Sequence, residues 1–78
     1  MLIETEIYIA ESDSRSIFNV HKKSKNTGGG PLYIGQILIS SRGTYCFKTN
    51  QEVYITGEEM MEIPDLARQI IENISRQN

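Results

Sequence analysis

Between residues 2 and 10, apolar and polar side chains alternate along the chain. Ile3, Thr5, Ile7 and Ile9 fall on one side of an extended backbone, and Leu2, Glu4, Glu6, Tyr8 and Ala10 on the other. Period-two alternation of this kind predicts a strand. Glu11-Ser12-Asp13-Ser14 predicts a turn, because short polar side chains compete with a strand ladder for backbone hydrogen bonds. A second strand follows at 17–21, with Phe18 and Val20 as its core face. Lys22 to Pro31 reads as a loop, since three successive glycines at 28–30 lose too much backbone entropy to sit in a regular element. Pro31 donates no hydrogen bond and fits the first position of the next strand.

That next strand, 32–40, is the most apolar of all. Leu32, Ile34 and Leu38 share one face with Gln36, and Tyr33, Ile37 and Ile39 share the other with Gly35. Apolar residues in both phases predict a central strand covered on both sides. Ser41-Arg42-Gly43 is a hairpin-type turn, 44–48 a fourth strand, and Asn50-Gln51 a turn into a short fifth strand at 52–55.

Beyond residue 57 the period changes. Ile63, Leu66, Ala67, Ile70, Ile71 and Ile74 recur at three- and four-residue spacing, the apolar stripe of an amphipathic helix. Thr56 is placed to cap it, with Glu58 and Glu59 at its positive end. Pro64 either starts the main helix after a separate turn at 58–63 or kinks a single helix. The pattern predicts one α+β domain over 1–78: an antiparallel meander of four to five strands, about 2–55, packed against one C-terminal α-helix, about 58–76.

Composition narrows the function classes. A chain of 78 residues is near the size at which folding buries only about 60% of the unfolded surface. A buried catalytic pocket would consume much of such a core. The single cysteine, Cys46, precludes an intramolecular disulfide and points to a reducing, cytoplasmic setting. The first residues lack the charged and unbroken apolar regions of a signal peptide. No run approaches the ~20 apolar residues of a membrane span.

Candidate chemistry is sparse. His21 stands beside Lys22 and Lys23 without an evident carboxylate to orient it, and Cys46 reads as a small apolar filler. One histidine and one cysteine make no metal-ligand cluster. The triple glycine lacks the Gly-Lys-Ser/Thr ending of a phosphate loop and precedes a strand rather than a helix. Glu58, Glu59, Glu62, Asp65 and Glu72 fit the first turns and solvated face of a helix. No catalytic residue, cofactor or metal is expected.

Charge changes the picture more. No Asp or Glu occurs from Ser14 through Gln51, yet Arg15, Lys22, Lys23, Lys25, Arg42 and Lys48 do. Acidic residues dominate on both sides: Glu4, Glu6, Glu11 and Asp13 before, and Glu52 to Glu72 after. A meander would put the turns at Arg15 and Arg42 at one end of the sheet, and the Lys22–Lys25 loop and Lys48 at the other. One helix covers one sheet face. If Ile7, Ile9, Val53 and Ile55 face it, then Tyr8, Tyr33, Ile37, Ile39 and Tyr54 turn outward as a dimer or partner interface.

The expectation is a non-enzymatic interaction or regulatory module, a homodimer or the binder of a protein partner. Lys22, Lys23, Lys25, Arg42 and Lys48 would supply its anion contacts. The alternative is single-stranded nucleic-acid binding as a dimer, with the same tyrosines stacking bases.

The segment Glu52-Val53-Tyr54-Ile55-Thr56-Gly57-Glu58-Glu59-Met60 resembles the last strand and helix entry of small sheet-plus-helix, coactivator-like proteins. That resemblance implies single-stranded DNA binding by a dimer. In size and open surface the chain is also similar to small accessory proteins of phages and mobile elements, which implies an action on another protein.

Overall fold

A computed structural model describes residues 1–23, 30–50 and 53–76. Five strands, β1 (Leu2–Glu4), β2 (Tyr8–Glu11), β3 (Ile17–Lys22), β4 (Leu32–Ile39) and β5 (Tyr45–Thr49), precede two helical segments, α1 (Gly57–Met61) and α2 (Ile63–Arg76). The strands pair antiparallel in the order β1-β2-β3-β4-β5. The helices cover one face, where Tyr8, Ala10, Phe18, Val20, Ile34 and Ile37 meet Ile63, Leu66, Ala67 and Ile70 in the core. This is the α+β meander expected from the pattern, with three local differences.

The first lies in 2–10, which is a hairpin and not one strand. Thr5 Oγ1 accepts from the amides of Ile7 and Tyr8 at 3.3 and 2.9 Å, and the Thr5 amide donates to the Tyr8 carbonyl at 2.8 Å. The threonine hydroxyl takes over bonds that a ladder would otherwise supply, so the chain reverses without glycine. Tyr8 and Ala10 consequently face the helices, fully buried, while Ile9 faces away.

The second is a bulge in β4. Val20 pairs with Gly35 and His21 with Tyr33, leaving Ile34 without a partner of its own. One extra residue inverts the alternation. Ile34 and Ile37 are therefore both buried, and Ile39 packs on the core margin, whereas Tyr33, Gln36 and Leu38 lie on the opposite face. Gly35 makes the bulge fit: a Cβ there would sit 2.1 Å from the Lys48 carbonyl oxygen, and its φ is +152°. The strand that reads as covered on both sides thus leaves Tyr33 and Leu38 on the uncovered face, either side of Gln36.

The third concerns the entry to the helices. Val53, Tyr54 and Ile55 form no strand. Val53 and Ile55 pack at the core margin, and Tyr54 is 97% exposed. Thr56 caps α1 as expected, in a capping box with Glu59: Thr56 Oγ1 accepts from the Glu59 amide, and Glu59 Oε1 accepts from the Thr56 amide, both at 3.1 Å. The helix breaks at Glu62, two residues before Pro64, whose missing N–H cannot continue the ladder. Pro64 therefore belongs to the start of the main helix.

Candidate interaction surface

The uncovered face of the sheet is built from three transverse rows, fixed by strand register. One row runs Leu2, Glu11, Asn19, Gln36, Lys48 from β1 to β5. A second runs Glu4, Ile9, His21, Tyr33, and a third Ile17, Leu38, Cys46. The first row is polar after Leu2, whereas the third is apolar throughout. Leu2, Ile17 and Tyr33 are exposed at 66%, 47% and 37%. In the centre, Gln36 Nε2 donates to Asn19 Oδ1 at 3.1 Å, and the rings of His21 and Tyr33 meet edge to face with centroids 5.4 Å apart.

Only part of the expected interface lies here. Tyr33 does. Tyr8 and Ile37 are fully buried beneath the helices, and Ile39 is half-buried on that same side. Their outward placement is corrected by the hairpin at 5–8 and the β4 bulge. Tyr54 is exposed, but on the connection to α1 rather than on the sheet. Ile9, Ile17 and Leu38 take the vacated places. The signal for Ile17 and Leu38 was present in the sequence, in the phase opposite to Phe18 and in the polar Gln36 two residues before Leu38.

The basic residues scatter likewise. Lys22 lies on the covered face, where its Nζ pairs with Glu59 Oε2 at 2.5 Å. Hydrogen bonds from Lys22 and from the Thr56 amide hold the Glu59 carboxyl well below the carboxylate range, at about 2. Beside this pair, the Tyr8 hydroxyl donates to the Glu59 carbonyl at 2.5 Å. Burial, with the charges of Glu59 and Glu62 adding to it, pushes the phenol up to about 12. Strands β2 and β3 are thereby latched to the first turn of α1, and Lys22 is paired within the fold.

Lys23 pairs with Glu4 at 3.1 Å. Lys25 lies outside the described residues. Arg42 is exposed in the β4–β5 turn, and Lys48 is exposed near the opposite end of β5. Among the described residues, the candidate anion contacts thus form no single patch.

Two concavities flank the rows. A groove of about 420 Å³ opens at the β1–β2 edge, lined by Met1, Leu2, Glu11, Ser12, Asp13 and Asn19. A cleft of about 400 Å³ lies at the end of the sheet, where Arg15 and Ser16 approach the β4–β5 turn over Ile39, Ile71 and Ile74. The turns at Arg15 and Arg42 do share an end of the sheet, as a meander requires. Cys46 is exposed on the uncovered face rather than filling the core. Among the described residues no three His, Cys, Asp or Glu side chains converge to hold a metal, and no helix is long and apolar enough to cross a membrane. Comparison with family models, with curated proteins and with solved structures finds no match for this chain.

Proposed function

We propose that this chain is a non-enzymatic interaction module that binds protein through the uncovered sheet face. The observation carrying this reading is the composition of that face. Exposed Leu2, Ile17 and Tyr33, with Ile9 and Leu38 between them, form apolar ground interrupted by Glu11, Asn19, Gln36 and Lys48. Apolar positions with interspersed polar ones suit a protein surface that must be both soluble alone and buried when bound. The dispersal of the lysines favours protein over a polyanion, which needs several cations along one track.

The test compares immobilised wild-type chain with a Tyr33→Ser/Leu38→Ser double variant, each with and without nuclease. Protein retained by the wild type, lost by the variant and insensitive to nuclease supports the reading. Equal recovery by both chains overturns it. Recovery abolished by nuclease overturns it in favour of nucleic acid.

A further inference from the structure

The uncovered face is antisymmetric in charge. Its central row has Glu11 near one edge and Lys48 at the other, both exposed. The groove at the β1–β2 edge is lined by two carboxylates, Glu11 and Asp13, and by the apolar Leu2. Lys48, by contrast, stands on the last strand, beyond Gln36 in the same row. A surface carrying a lysine on one edge and an acidic groove on the other, along a single row, is complementary to itself.

From this we infer that the partner of the uncovered face is a second copy of this chain. The inference rests on the reading of that face as a binding surface. In the pair, a two-fold axis runs parallel to β3, the middle strand. That operation lays the sheets face to face and sets β5 of one copy over β1 of the other. Lys48 then enters the groove of the second copy, its ammonium beside Glu11 and Asp13 and its methylene stem along Leu2. An axis across the strands would instead set acidic edge on acidic edge, so charge selects the first arrangement. Asn19 and His21, on β3, meet their own counterparts at the axis, as an isologous interface requires. Aligned sheet packing keeps the facing strands within about 30° of one another.

The interface is small. Five strands at ~4.8 Å spacing span a face about 20 Å wide, which puts the total buried area at or below about 1,200 Å², the range of weak and transient contacts. Dissociation in the micromolar range is therefore expected, and monomer and dimer both populate at ordinary concentrations.

Sedimentation equilibrium between about 10 μM and 1 mM tests the arrangement, using Glu11→Lys and Lys48→Glu. Both side chains are exposed, and circular dichroism verifies that each variant folds. Each reversal creates two like-charge contacts per dimer and should weaken association about tenfold. In an equimolar mixture the heterodimer keeps one wild-type contact, Lys48 against Glu11 and Asp13, and pairs opposite charges again at the other beside Asp13, so it should form more tightly than either variant's homodimer. A strict monomer at every concentration overturns the inference. So does a dimer that both reversals leave unchanged, or a mixture that fails to recover. A monomer that still captures protein through Tyr33 and Leu38 removes the second copy while leaving the binding face intact. Capture indifferent to those residues removes the binding face itself.

Discussion

Replacing Gly35 by alanine should cost this domain a large share of its stability. The new Cβ would lie 2.1 Å from the Lys48 carbonyl oxygen, 3.1 Å from its carbon and 3.1 Å from the Thr49 Cα. Carbon and carbonyl oxygen rest at about 3.3–3.6 Å, so the β5 backbone would have to retreat by more than about 1 Å. No flexible side-chain end is available to yield, since all three atoms are main chain. The retreat would strain the Gly35–Thr49 pairing and the Asn50 amide bond to the Ile34 carbonyl at 2.8 Å. It would also draw Phe47 away from Ile37, its partner across the ladder.

Overpacking of this sort costs about 1–3 kcal/mol, and a side chain held in a backbone region that suits glycine adds about 1–3 kcal/mol more. A loss of about 2–6 kcal/mol compares with the ~5–10 kcal/mol expected of a domain this small. A mid-range loss of about 4 kcal/mol should lower the melting temperature by about 15–30 °C, at 4–8 °C per kcal/mol. Thermal unfolding followed by circular dichroism measures it. Gly43→Ala is the control: its φ is +82°, yet a Cβ there meets nothing within 4 Å, so only the conformational cost of about 1 kcal/mol applies. Equal melting temperatures for Gly35→Ala and Gly43→Ala would refute the close approach of β4 to β5. The phase assignment of Ile34, Ile37 and Leu38 would fall with it.

Two further outcomes follow from the Lys22–Glu59–Tyr8 latch. Because the Glu59 carboxyl is lowered from 4.5 to about 2 in the fold, its contribution is complete above pH 4.5 and lost as pH falls from there toward 2; solvent screening at the partly exposed pair limits it to about 1 kcal/mol. Urea midpoints between pH 2 and 6 should show a smaller acid-side decline for Glu59→Gln than for wild type, and parallel curves would count against the ion pair. The Tyr8 phenol, raised from 10.0 to about 12, favours the folded state below pH 10 and loses that contribution as pH rises toward 12. Tyr8→Phe should remove one late-titrating phenol from the alkaline absorbance curve and cost about 1 kcal/mol, the net worth of one hydrogen bond, since the Glu59 carbonyl keeps the Glu62 amide at 3.2 Å. Loss of a phenol that titrates near the ordinary 10.0, with the late phase kept, would place Tyr8 in solvent.

How much of this was legible in the sequence depends on the range of the interaction concerned. Isoleucines and leucines at helical spacing from Ile63 to Ile74 mark their own face, because the helix period links residues three and four apart. The Thr56–Glu59 box is equally local, three residues from end to end. The turn at Ser12–Ser14 could be read from its hydroxyls, and the structure has Ser12 Oγ accepting from the Ser14 amide at 2.9 Å. The hairpin at 5–8 was also local, but its alternation runs on through the turn, and a threonine in place of glycine or asparagine gave little notice.

The sequence by itself determined the α+β class, the meander, the helical stripe and the concentration of positive charge between Ser14 and Gln51. Tertiary structure alone decided which face each side chain joined. Strand phase has a period of two, so one extra residue at Ile34, fixed by contact between Gly35 and a strand thirteen residues away, reverses every position on one side of it. Net charge per segment says nothing of pairing either: Lys22 is consumed by Glu59, thirty-seven residues on, while Lys48 is left at an edge facing outward. Periodicity and composition are sums along the chain, whereas burial and pairing are set by what the folded chain brings across from elsewhere.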